Sequence, residues 1–208
     1  MAAARDARAI AHGLTREKGA LRRGPPAATE VTPTGSFPLP LLRVVNTLDA
    51  ISLWSGRIFA WLIIPMVGAL VYEVFARYGF NSPTLWAYDV TYMLYGTHFM
   101  LGSAYTLARQ GHIRTDFFYR LWSPRWQGTV DAFLYACLFF PAMGFFLWDS
   151  SDFAMVSWIR GEVGISSPWS PPIYPFKTVM PLTAILLILQ GTSEFVKSLH
   201  AAIRGEWL

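Results

Sequence analysis

The chain has 208 residues, 53% of them hydrophobic and 14% charged, with a formal net charge of +4. A soluble domain carries about 25% charged residues. The deficit, with fifteen Phe, nine Trp and nine Tyr, points to an integral membrane protein whose rings settle at the two interfaces. A single cysteine, Cys137, excludes an internal disulfide and a thiolate metal cage, and the modest positive charge calls for no nucleic-acid partner.

Residues 1–40 are rich in Ala, Arg, Gly and Pro and lack the apolar core of a signal peptide, so they are expected to form a basic cytoplasmic tail. In 41–55, Leu41, Val44, Val45, Leu48, Ile51 and Trp54 recur at near-helical spacing, with Arg43, Asn46, Asp49 and Ser52 between them. That pattern predicts an amphipathic helix lying in the membrane interface. A first span is expected over 58–76, with Pro65 as a kink. Glu73 and Arg77 stand i,i+4 with the acid first, the favourable order for a helical ion pair. The turn that follows, Tyr-Gly-Phe-Asn-Ser-Pro (78–83), is short enough to make the first two spans antiparallel neighbours.

The second span, 85–108, opens on Trp86 and carries Asp89 in its first turn, where a carboxylate complements the helix dipole. The short turn predicts a cluster of Glu73, Arg77 and Asp89 that fixes the hairpin, the alternative being a direct role in transport or ligand contact. Thr91, Tyr95, His98, Gly102 and Tyr105 follow 4-3-4-3 spacing and share one face. With Trp86 they are candidates for a helix–helix interface with a partner. His98 is expected to be a hydrogen-bonded interface residue, with a proton carrier or ligand as the alternative.

Residues 109–125 hold Arg109, His112, Arg114, Arg120 and Arg125 against Asp116 alone, a surface linker on the basic side of the membrane. A third span is expected over 130–148 and a fourth over 178–195. The Pro- and aromatic-rich external loop between them, 149–177, is expected to pack against something. Counting Lys and Arg places both termini in the cytoplasm. The expected fold is an all-α integral membrane protein: four transmembrane helices plus an N-terminal amphipathic interfacial helix, with a tail over 1–40 and a membrane domain over 41–204.

Chemistry is sparse. A b-type haem needs two His at matched depth, but His112 lies about 21 Å beyond His98 along a helix. Ser103 and His98 are five residues apart on one helix and do not face each other. No phosphate loop, H-E-x-x-H or paired-Cys motif occurs. No catalytic residue, substrate-binding residue, metal site or cofactor is expected in this chain. The alternative reading is a stand-alone membrane enzyme or redox anchor using His98, with Asp89 or Glu73 as proton groups. A receptor-like module built on 161–175 is a third.

The combination of Arg77, the aromatic and Asn-Ser-Pro turn, Trp86 with an acid three residues on, Gly102-Ser103-Ala104 and the G-H-I-R-T-D run at 111–116 resembles the small, four-span DctQ-type membrane subunit of TRAP (tripartite ATP-independent periplasmic) transporters. The run around the second span looks most like the branch associated with mannitol or chloroaromatic-type substrates. Tyr88-Asp89 departs from the Glu pair that many members carry after the Trp. The resemblance implies a bacterial inner-membrane complex in which a periplasmic solute-binding protein delivers a small solute, an organic acid, to a large membrane subunit. That subunit carries the solute together with Na⁺, and the small subunit braces it.

Overall fold

The computed structural model describes residues 39–109 and 122–207. Among them it is helical, with one isolated antiparallel bridge, Val163 to Pro172. The elements in order are α1 (Leu39–Ala60), α2 (Ile63–Val74) ending in a π turn (Phe75–Gly79), α3 (Ala87–Ala108), α4 (Pro124–Leu134), a π turn (Tyr135–Phe139), α5 (Phe140–Arg160), a one-turn α6 (Tyr174–Lys177) and α7 (Val179–Arg204). The 1–38 tail and most of the 109–125 linker, including His112, Arg114 and Asp116, lie outside the described residues.

Among the described residues, three continuous helices are long and apolar enough to cross a membrane: Leu41–Gly79, Pro124–Arg160 and Tyr174–Arg204. The expected interfacial helix and first span are thus joined, interrupted only at residues 61–62. Pro65 accounts for the break. It has no N–H, and its ring crowds the carbonyl four residues back. That carbonyl, Trp61 O, takes Ile64 N at 3.1 Å instead, while Trp61 and Leu62 reach back three residues to Ile58 and Phe59. Pro141 stands in the same relation to Cys137, and there the ladder widens into the Tyr135–Phe139 π turn.

The start of the 149–177 loop needs correction. The helix that contains the third span runs on through Asp149 and Asp152 to Arg160. It stops at Gly161, whose left-handed backbone (φ 57°) lets Glu162 N bond Ser157 O at 3.1 Å. Such a cap at a glycine is what terminates a helix, whereas exposed carboxylates do not. Only 161–173 is then loop, and α7 extends past the expected end of the fourth span at 195.

α7 is the shared partner. It packs on α3, α4 and α5, and α2 packs on α3. Leu101 and Ala104 of α3 meet Val179 and Leu186 of α7, with Phe59, Met100 and Leu187 around them. Most of the interior is small or polar: Ser52, Ser157, Gln190 and Ser193 have no exposed surface. The exterior is large and apolar, with Trp61, Phe99, Phe145 and Trp148 all at least 70% exposed. α1 repeats this inversion. Val45, Ser52 and Gly56 face inward, while Leu41, Val44, Ile51 and Trp54 of its apolar stripe face out. An outward apolar surface suits lipid, where close packing through small side chains holds helices together.

Candidate functional site

Two polar constellations occupy the end of the bundle that carries the 80–86 turn and the 161–173 loop. In the first, Arg77 Nε donates to Glu73 Oε1 at 2.9 Å. The turn brings Thr84 onto the other carboxylate oxygen through its backbone N–H at 3.0 Å and its hydroxyl. Glu73 is thereby closed by its own hairpin. Asp89 is not part of it: its carboxylate accepts from the Ser167 hydroxyl, and the residue is only 6% exposed. The expected triad is therefore a pair, Glu73 with Arg77, plus a separate Asp89. Thr84 takes the place expected for a second carboxylate, and Asp89 turns to the 161–173 loop. Trp86 stacks on Tyr72 with ring centroids 5.6 Å apart.

The second constellation is that loop. Gly164 N bonds Pro171 O at 2.7 Å and Ile173 N bonds Glu162 O at 3.1 Å, so it closes as a small hairpin. Lys177 donates to Glu162 across its base. This ammonium, hydrogen-bonded to the carboxylate, holds Glu162 below its ordinary 4.5. A depressed carboxylate supports the folded form above its unfolded value and withdraws that support as pH falls through the lowered one. Hydrogen exchange at the Gly164 and Ile173 amides, corrected for intrinsic rates, should stay protected down to about pH 4.5 and lose protection below it. Lys177→Met should remove that acid step, and an unchanged step in the variant would separate the pair from hairpin closure.

The 4-3-4-3 face of α3 is divided. His98 Nδ1 lies 3.0 Å from Phe59 O, and because a carbonyl only accepts, Nδ1 carries the proton. Phe59 O, which also accepts from Leu62 N at the break, thereby takes a second donor from α3. Tyr105 packs where a Cβ on Gly56 would sit, and the Arg109 guanidinium lies 5.6 Å from the Tyr105 ring centre. Thr91 is mostly covered, with its hydroxyl buried. Tyr95 points outward and stacks on Phe99 at 6.3 Å. Gly102 has no heavy atom within 4 Å of the position a Cβ would take. Together Gly56, Arg57, His98, Gly102, Ser103 and Thr106 border a groove of about 560 Å³ between α1 and α3.

A further cluster lies toward the other end of the bundle. Asp49 of α1 accepts from Gln190 Nε2 at 2.9 Å, Ser193 Oγ at 2.6 Å and Lys197 Nζ at 2.7 Å, all on α7. Lys197 also reaches Glu194 at 2.8 Å, and Gln190 reaches the same oxygen at 3.2 Å. Gln190, Ser193, Glu194 and Lys197 recur every three or four residues on one face of an apolar helix. That stripe is a readable signal for a buried partner, although the partner itself is 141 to 148 residues distant.

The geometry is that of a lipid-facing bundle with an open groove and with Glu73, Glu162, Asp49 and Glu194 each paired to a cation of the same chain. The family described as tripartite ATP-independent periplasmic transporters, DctQ component, matches residues 66–201, from within α2 into α7. The sialic acid TRAP transporter permease protein SiaT of Haemophilus influenzae (strain 86-028NP) is 24% identical over 154 residues, 72% of this chain and 22% of that protein. The chain therefore spans less than a quarter of that relative's length. The match covers well over half of the chain, and on it the chain belongs to the DctQ-component family of tripartite ATP-independent periplasmic transporters.

Proposed function

We propose that this chain is the small permease subunit of a TRAP secondary transporter in a bacterial inner membrane. It braces a larger elevator-type subunit that takes up a small organic acid with Na⁺ after delivery by a periplasmic binding protein. The chain performs no catalysis and holds neither the solute nor Na⁺. α3, the expected second span, brings the number of crossings to four: it is 22 residues long, about 33 Å, and packs on both α2 and α7, so it traverses the same layer despite its polar residues. α1 leads into the first span along the cytoplasmic surface, and both termini are cytoplasmic. The 80–86 turn and the 161–173 hairpin face the periplasm.

The observation that carries the bracing role is the groove between α1 and α3. Its lining combines Gly56, Ala60, Gly102, Ser103 and Thr106, small and hydroxyl side chains of the kind through which membrane helices approach one another, with Arg57, His98, Phe99 and Tyr105. Gly102→Phe tests it directly. The side chain enters open space in this chain, so the fold should be unaffected. Co-purification with the large subunit should fall to background and solute uptake with it. Wild-type recovery of the large subunit with Gly102→Phe would overturn the groove as the contact. A stable, active transporter lacking any large partner would overturn the role itself.

A further inference from the structure

The cavity beneath the 161–173 hairpin holds a charge for which a bracing subunit has no use. Its volume is about 470 Å³, within the range of small-molecule sites. Asp89, Glu162 and Lys177 supply its charge, two carboxylates against one ammonium. Lys177 is committed: it bonds Glu162 and sits 3.9 Å from the centre of the Phe153 ring. That leaves Asp89, in the first turn of α3, more than nine-tenths buried and, among the described residues, met by the neutral Ser167 hydroxyl. A buried carboxylate is costly unless a cation accompanies it.

We propose that this cavity binds a primary ammonium group carried on a short apolar body, with Asp89 as its counter-ion. The N–H groups donate to the carboxylate lone pairs that Ser167 leaves free. With Phe153 already under Lys177, Tyr92 and Phe176 are the aromatic rings left lining the same space, and aromatic rings attract an ammonium. An anion would meet Asp89 and Glu162. A neutral alcohol would leave the carboxylate without a cation, and a trimethylammonium has no N–H to give. A soluble alkylamine and the aminoethyl headgroup of a phospholipid present the same chemistry.

Titration of the purified full-length chain with butylammonium, butyltrimethylammonium and butanol tests the site. Butylammonium is expected to bind about tenfold tighter than either analogue, the worth of one charge-assisted hydrogen bond. Asp89→Asn should erase that preference, while Asp152→Asn, outside the cavity, should keep it. Native mass spectrometry of the wild-type chain from bilayers of mixed aminoethyl and glycerol headgroups then identifies the source. Retention of the aminoethyl lipid, displaced by butylammonium, assigns the site to lipid; butylammonium binding without such retention assigns it to a soluble amine. Equal affinity of the wild-type chain for butylammonium and butanol overturns the proposal, whether or not Asp89→Asn folds.

Discussion

Gly128→Val should part α4 from α7. A Cβ at Gly128 would lie 2.5 Å from Ala202 N, 2.6 Å from Ser198 O and 2.9 Å from Ala201 C. All three are backbone atoms of α7, so no change of rotamer relieves the clash and the helices must separate. Overpacking of this kind costs about 1–3 kcal/mol and sometimes more. The contact is also one of those that hold the bundle on α7. Thermal unfolding in detergent should show a lower midpoint and a larger aggregated fraction. Gly144→Ala is the control: nothing lies within 4 Å of its Cβ position, and Ala is the better helix former. That variant should equal or exceed the wild type. A Gly128→Val protein as stable as wild type would show that α4 and α7 do not approach through this residue.

Lys197→Met should have the larger effect. Lys197 is the cation between Asp49 and Glu194, and its side chain is 18% exposed against 26% and 3% for the two acids. Removing it leaves two carboxylates together with, among the described residues, only Gln190 and Ser193 as side-chain donors. Breaking a buried pair in this way costs about 3–5 kcal/mol, since a charge is left uncompensated. The loss should appear as a depressed unfolding midpoint and faster hydrogen exchange in α1. The triple variant Asp49→Asn, Glu194→Gln, Lys197→Met removes the charges together and should recover most of the loss. If the triple variant is as unstable as the single one, the cluster contributes shape and not charge balance.

The apolar runs made the helices readable, and Pro65 marked its own break. The end of α5 was less readable because Asp149 and Asp152 look like the start of a loop, while the chain turns only where Gly161 permits a left-handed residue. Asp89 shows a different difficulty. Depth along a helix follows from spacing, but direction around it follows from what packs there, and its partner Ser167 lies 78 residues away. Thr84 then supplied by backbone and hydroxyl what a second carboxylate would have contested. In α1 the apolar stripe was visible, but its environment inverts the usual assignment. In a soluble protein that stripe would be the core, and here Asp49 and Ser52 are on the inward side.

The dependence of α1 on α7 has a consequence for biogenesis. A chain emerges from the ribosome in order, so Asp49 is made 141 to 148 residues before Gln190 and Lys197 exist. At about 5–20 residues per second that interval is on the order of 10 s. For its duration the carboxylate must stay hydrated at the cytoplasmic surface, until α7 inserts and supplies its donors. A nascent chain arrested before residue 190 carries an unclaimed acid and three helices without their shared partner.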